Sequence, residues 1–333
     1  MTSKLTKIFA LVTALFMLSA LTACGQSATP SANVPEEPIN IMVLNGTTGF
    51  GMANLIYSAQ HAEAEQNYNF SVETDASNIM AALINGSADI AALPTNAAAT
   101  LYARTNGEVQ VLALNTRGVL YLVSDGSLEI SGLADLKGQT VYAPAQNPSF
   151  IFQYLCQENG LSIGEDVIID NSYAQPADLN AAVAAGEVHL AVLPEPMVTV
   201  ARSANENIKV ALDLTEEWDK VAPVGSLVQG CVVVRRDFAE SHANELEVFL
   251  DEYAASVNAL SKDVAGTAQN IEAVGVFPKA AVAEKAIPNC NICFIKGAEM
   301  QTALSDFLEI LYSVAPASVG GVLPDDGFYC ILK

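Results

Sequence analysis

A stretch of this chain occurs twice, at an offset of 100 residues. Residues 78–96 read NIMAALINGSADIAALPTN and residues 178–196 read DLNAAVAAGEVHLAVLPEP. Ala81 and Ala181, Ala82 and Ala182, Gly86 and Gly186, Ala91 and Ala191, Leu93 and Leu193, and Pro94 and Pro194 coincide. Alanine is common here, so the shared punctuation carries more than the identities. Each copy predicts a short helix, a glycine that ends it in the left-handed conformation, an apolar strand and a proline. Ser77 or Asn78 is suited to cap the first helix, and Pro176 to open the second. The runs Ile90-Ala91-Ala92-Leu93 and Leu190-Ala191-Val192-Leu193 have no polar face, as strands buried on both sides require.

The copies also open alike. Residues 39–44 form an apolar strand leading into Asn45-Gly46-Thr47-Thr48-Gly49-Phe50-Gly51. Residues 140–143 form another, leading into Pro144-Ala145-Gln146-Asn147-Pro148-Ser149-Phe150. Helices are expected over about 50–65 and 149–159, the second stopped by Gly160. Two β-α-β-α-β units with parallel strands follow. The fold class is therefore α/β, in two lobes, each a mostly parallel sheet flanked by helices. The β-rich residues 109–123 and 224–235 are expected to carry the chain between the lobes and back as two crossover strands. From Ser241 onward the pattern turns helical, with Leu246, Phe249, Leu250, Tyr253 and Val257 at helix spacing. A last helix over 298–312 places Leu304, Phe307, Leu308 and Leu311 on one face. Lobe 1 is then residues 39–115 plus 229–333, and lobe 2 is residues 116–228.

The N-terminus reads as an address. Residues 1–7 are short and basic, and residues 8–21 are apolar apart from Thr13 and Ser19. Small residues follow, which is the layout of an export signal over residues 1–23. Leu21-Thr22-Ala23-Cys24 resembles the bacterial lipobox, which implies cleavage before Cys24 and lipidation of that cysteine. Several acyl chains anchor a protein stably where a single one is marginal, so the folded part would stand on the outer face of the cell membrane. Residues 24–38, rich in Ser, Ala and Pro after the cysteine, read as a flexible tether.

Charge and cysteines exclude other classes. Acids number 37 against 15 bases, a formal net charge of −22, and such a chain repels phosphate backbones, so it is no nucleic-acid binder. Beyond Cys24, the cysteines are Cys156, Cys231, Cys290, Cys293 and Cys330, an odd number that writes no full disulfide framework. Cys290-Asn291-Ile292-Cys293 is open to a redox pair, half a zinc site or a local disulfide. No second C-x-x-C exists, and His61, His189 and His242 are scattered. The favoured reading is small apolar residues in a strand, with no metal and no cofactor.

In open parallel sheets ligands sit beyond the carboxyl ends of the strands, against helix starts that offer free N–H groups and partial positive charge. Two such lobes face each other across a cleft and close on a hinge. The candidate ligand-binding residues are Asn45, Gly46, Thr47, Thr48 and Phe50 after the first strand, and Thr95 and Asn96 after the third. In the second copy they are Gln146, Asn147, Ser149, Phe150 and Glu195, with Gln229 on the return strand. Thr47 and Thr48 are equally suited to capping a helix, Asn96 and Asn147 to turns, and Phe50 and Phe150 to the core.

The lipobox, the two-lobe order, the loop after strand one and Glu195-Pro196 together resemble the NitT/TauT-type substrate-binding proteins of ABC importers. Leu136-Lys137-Gly138-Gln139-Thr140-Val141 is similar to the L-K-G-K-x-V that opens the family's second lobe. The resemblance covers nearly all of residues 39–312. It implies a monomeric binding protein, not an enzyme, that captures a small polar organic molecule and delivers it to an ABC permease. The family includes binders of sulfonates, taurine, nitrate and thiamine-pyrimidine precursors. Glu195 discriminates among them. At ~4 Å and an effective dielectric near 20, its carboxylate would cost an anion about 4 kcal/mol. Facing the cleft, it favours a neutral or cationic heterocycle, similar to a thiamine precursor. Capping its own helix, it leaves a sulfonate or nitrate-type anion open. An exported enzyme is the remaining alternative, but no HExxH, Walker loop, GxGxxG or Ser/His/Asp order is present.

Overall fold

The computed structural model describes residues 37–332, and the predicted export signal and most of the tether lie outside that range. Among the described residues eleven strands form two sheets. They are β1 (Ile39–Leu44), β2 (Tyr68–Glu73), β3 (Ile90–Pro94), β4 (Val109–Arg117), β5 (Leu120–Ser124), β6 (Gln139–Tyr142), β7 (Val167–Asp170), β8 (Leu190–Pro194), β9 (Lys209–Asp213), β10 (Val228–Arg235) and β11 (Ile292–Ile295). Sheet 1 has the order β11-β4-β10-β3-β1-β2, and sheet 2 the order β7-β6-β8-β5-β9. The architecture is α/β with helices flanking two mixed sheets.

The repeat explains the layout and extends further than the sequence showed. β3, β1 and β2 lie side by side and parallel, as do β8, β6 and β7. The repeated helices run Ala76–Asn85 and Pro176–Ala185. Gly86 (φ 79°) and Gly186 (φ 77°) end them in the left-handed region, where a side chain would be strained. Pro176 opens its helix as expected. The first helix, however, is capped by Asp75, which accepts from the Ser77 N–H at 2.8 Å, rather than by Ser77 or Asn78. After β3 and β8 come the helices Thr95–Thr105 and Met197–Ala204, and then a fourth strand in each copy, β4 and β9.

The crossovers differ from expectation. Residues 109–123 are two strands, not one: β4 ends at Arg117, Gly118 and Val119 break the ladder, and β5 starts in the other sheet. A Cβ on Gly118 would lie 2.3 Å from the Thr215 hydroxyl oxygen, so the close approach at the break needs glycine. The return stretch begins pairing only at Val228. Each sheet thus accepts one antiparallel strand between its third and fourth: β10 between β3 and β4, and β5 between β8 and β9. The sheets are therefore mixed rather than mostly parallel in their pairings, because these inserted strands run against their neighbours.

Strand side chains alternate between two buried faces. Ile39, Ile41, Val43, Ile90 and Ala92 enter one cluster with Phe249 and Tyr253, while Ala91 and Leu93 enter another. That second cluster includes residues beside both sheets. Trp218, fully buried, donates its indole N–H to Ser226 Oγ at 2.8 Å and packs against Tyr154 and Phe307 at 4.9 and 5.7 Å between ring centres. Tyr154 lies on the helix Asn147–Glu158 and Phe307 on the helix Gly297–Val314. The predicted helix over 50–65 is two pieces, Thr47–Phe50 and Ala53–Gln60, and the helical stretch after Ser241 is the 20-residue helix Ala243–Lys262.

Candidate functional site

The loop after β1 is built for close approach. Gly46 has φ 81°, and its N–H donates to the Val276 carbonyl at 3.0 Å. A Cβ on Gly49 would lie 2.7 Å from the Leu44 carbonyl oxygen. Asn45 is exposed, and Thr47 and Thr48 are half-buried. Gly46 occupies the cap position, so neither threonine hydroxyl caps the helix. The Thr48 carbonyl accepts from the Asn115 side chain at 3.1 Å. Phe50 is fully buried, edge-on to Phe277, inside the core beside sheet 1. Contrary to the sequence expectation, its side chain completes the core and forms no ligand wall.

The loops after β3 and β6 meet. Asn147 Nδ2 donates to Asn96 Oδ1 at 2.8 Å, a bond between the first and second copies of the repeat. Both side chains are 8% exposed. Asn147 Oδ1 has no partner, whereas Asn96 Nδ2 donates to the Ser318 carbonyl at 3.4 Å. Thr95 is fully buried, and its hydroxyl donates to the Val228 carbonyl at 2.8 Å, which commits it to the sheet. Ser149 is buried and shares a hydrogen bond with Asn171, which in turn donates to the Ala143 carbonyl. Gln146 is exposed with φ 67°, and Phe150 is half-buried.

Beside this amide pair lies a groove of about 390 Å³. Asn96, Gln146 and Phe150 line it, together with Met80, Ala97, Thr100, Arg104, Ala317 and Ser318. Ser318 Oγ is buried without a partner. Among the described residues no carboxylate lies within 4 Å of the exposed Arg104 guanidinium. Thr100 and Arg104 were missed in the sequence, although they follow Asn96 at i+4 and i+8 on one helix face, a spacing that pointed to them. Ser318 belongs to a C-terminal turn that carries no local signal.

Other candidates are elsewhere. Glu195 is 3% exposed and accepts from the Thr199 N–H at 3.1 Å and from the Thr199 hydroxyl at 3.0 Å. It therefore caps the helix that follows Pro196. Burial raises its pKa, and the two Thr199 bonds oppose that shift. Its carboxylate is turned inward, so the electrostatic ground for a cationic ligand falls away. Gln229 Oε1 accepts from the Val119 N–H at 2.8 Å and fastens the crossing rather than lining the groove.

The C-x-x-C pair is unbonded, as are the other three described cysteines. Burial pushes the Cys293 thiol up to about 12 and Cys290 well above its ordinary range. Redox C-x-x-C chemistry needs the opposite shift. Cys290 Sγ instead points at the Ala286 carbonyl, and Cys293 lies within β11. Among the described residues no group of three or more His, Cys, Asp or Glu side chains could hold a metal ion.

Two sheets that exchange strands, with loops of the two repeats meeting at a polar seam, define the periplasmic-binding-protein class. Known proteins agree. The family model described as "ABC transporter, phosphonate, periplasmic substrate-binding protein" matches residues 61–273. The chain belongs to that family. An ABC transporter structure from Parabacteroides distasonis aligns with TM-score 0.75 and 24% identity, over 89% of this chain and 99% of its own. The periplasmic aliphatic sulphonate binding protein SsuA of Escherichia coli aligns with TM-score 0.70 and 15% identity, over 90% and 94%. The alkanesulfonate-binding protein SsuA of Xanthomonas axonopodis pv. citri, bound to MOPS, aligns with TM-score 0.61 and 16% identity, over 87% and 96%. Among curated proteins no sequence matches this one. The family and these neighbours are transporter substrate-binding proteins, not enzymes, consistent with the NitT/TauT-type resemblance. The chain is thus an extracytoplasmic binding component that takes a small molecule to a permease. No helix among the described residues is long and apolar enough to cross a membrane.

Proposed function

We propose that the ligand is a small organic oxyanion, a phosphonate or sulfonate, held in the groove between the Asn96 and Gln146 loops. The observation that carries this reading is the unpaired Arg104 in a groove whose other walls are amides, hydroxyls and apolar side chains. Arg104 offers the acid a forked donor, Asn96, Gln146 and Ser318 offer neutral hydrogen bonds, and Met80 and Phe150 offer contact for an alkyl chain. Glu195, bound to its own helix, adds no opposing charge, so the heterocycle reading keeps no physical support of its own. The lobes of this reading are residues 39–115 plus 229–333 and residues 116–228, with Thr116, Arg117 and Val228 at the boundary pairing in sheet 1. The working form is a monomer tethered through lipidated Cys24, which lies outside the described residues.

Calorimetry with alkylphosphonates, alkanesulfonates and an aminopyrimidine tests the ligand class. Arg104→Gln weakens the acids tenfold or more, about 1.4 kcal/mol. Binding of the aminopyrimidine with indifference to both acids overturns the reading. Incorporation of labelled fatty acid by the wild-type chain, abolished by Cys24→Ala, tests the anchor.

A further inference from the structure

A second groove, of about 510 Å³, holds three cations: Arg202 and Lys209 on the sheet 2 side, and Lys285 on the helix Ala280–Ala286. The whole chain has only 15 basic residues and a net charge of −22, so this convergence stands against its composition. All three are exposed, and none has a carboxylate within 4 Å among the described residues. Glu206 is the one acid in the lining, and Glu195, buried beneath Thr199, also acts on Arg202, so three cations face two acids, a surplus of one positive charge.

The hydroxyl donors around it are already committed. The Thr199 hydroxyl donates to Glu195, and the Ser203 hydroxyl donates to the Thr199 carbonyl at 2.7 Å. Lys209 Nζ reaches the Glu206 carbonyl at 3.3 Å and keeps its remaining donors. Recognition here rests on charge, through donors from two separate walls. Such an arrangement suits an anion with several oxygens and more than one charge, because one guest can satisfy cations that otherwise repel each other. The chain's overall negative field is screened within about 8–10 Å at ordinary salt, so the local surplus decides.

We propose that this groove is a second site, distinct from that of Arg104, for a phosphate-type oxyanion, either a free polyphosphate or a phospholipid headgroup. Calorimetry on the full chain with inorganic pyrophosphate, at constant ionic strength, tests it alongside sedimentation with phosphatidylglycerol or phosphatidylcholine vesicles. Saturable pyrophosphate binding supports a free anion, and an excess of sedimentation with phosphatidylglycerol supports a headgroup. Either response falls tenfold or more in Arg202→Gln/Lys285→Gln, returns in Arg202→Lys/Lys285→Arg, and is unchanged in Arg104→Gln. The substituted side chains are exposed and unpaired, so the variant keeps its fold, which an unchanged melting midpoint checks. Neither response in the wild type, or an equal response in the glutamine variant, overturns the proposal. Loss in Arg104→Gln also overturns it, by merging the two sites, and leaves the first reading intact.

Discussion

Replacing Asn147 by alanine separates a structural seam from a binding one. The side chain makes one hydrogen bond, to Asn96, while its own carbonyl oxygen is buried without a partner. A neutral buried hydrogen bond contributes about 1 kcal/mol net, and a buried polar atom without a partner costs about 1–3 kcal/mol. Asn147→Ala loses the bond and leaves Asn96 Oδ1 without its donor, but it also removes the orphaned Asn147 oxygen. The last two effects offset each other, so the ligand-free protein loses about 1 kcal/mol. For a unit of this size that is a melting shift of about 2 °C or less. A double-mutant cycle with Asn96→Ala, read by urea unfolding, returns a coupling of about 1 kcal/mol. A loss above about 3 kcal/mol, or a coupling of zero, refutes the bond and its orphan. In the same variant, affinity for the acid ligand falls less than in Arg104→Gln, because Asn147 lies outside the groove lining and acts on a guest only through Asn96.

Glu195 has a raised pKa in the folded state, so the native protein binds its proton more tightly than the unfolded chain does. Its contribution is therefore lost as pH rises from the ordinary carboxyl value of 4.5 through the raised one. Urea midpoints across that window fall for the wild type and fall less for Glu195→Gln; a wild-type rise instead contradicts the burial argument. Gly49→Ala drives a methyl into the Leu44 carbonyl oxygen and costs about 2 kcal/mol, and a neutral outcome by urea unfolding removes the close-approach reading. Cys156, Cys231 and Cys290 stay unmodified by a thiol reagent at neutral pH until denaturant is added; mass spectrometry that finds them labelled in the native state counts against their burial.

Much of the fold was written in local signals. Gly86 and Gly186, the doubled strands and Pro176 need only neighbouring residues to act, and they act as read. The exchange of β5 and β10 was hidden because strand insertion is a long-range pairing, and an apolar run looks the same on either side of a break. Gly118 was the one local sign of that break. Of the candidate binding residues, Asn96, Gln146 and Phe150, read from the sequence at strand ends facing a seam, line the groove. The place of Phe50 was not legible, since both a core ring and a binding wall follow a loop in the same way. Glu195 was left between two roles, and the deciding contact, Thr199 four residues on, is set by the geometry of the turn through Pro196. Arg104 was not legible because it stands in the last turn of the helix Thr95–Thr105, away from the strand ends.

The chain contains a single tryptophan, and the junction where Tyr154 and Phe307 close on Trp218 holds it. Indole emission from this protein is consequently a built-in optical gauge of one locality. A shift in its colour reports water reaching the Ser226 contact, and a steady spectrum during ligand capture says that the joint holds while the rims move.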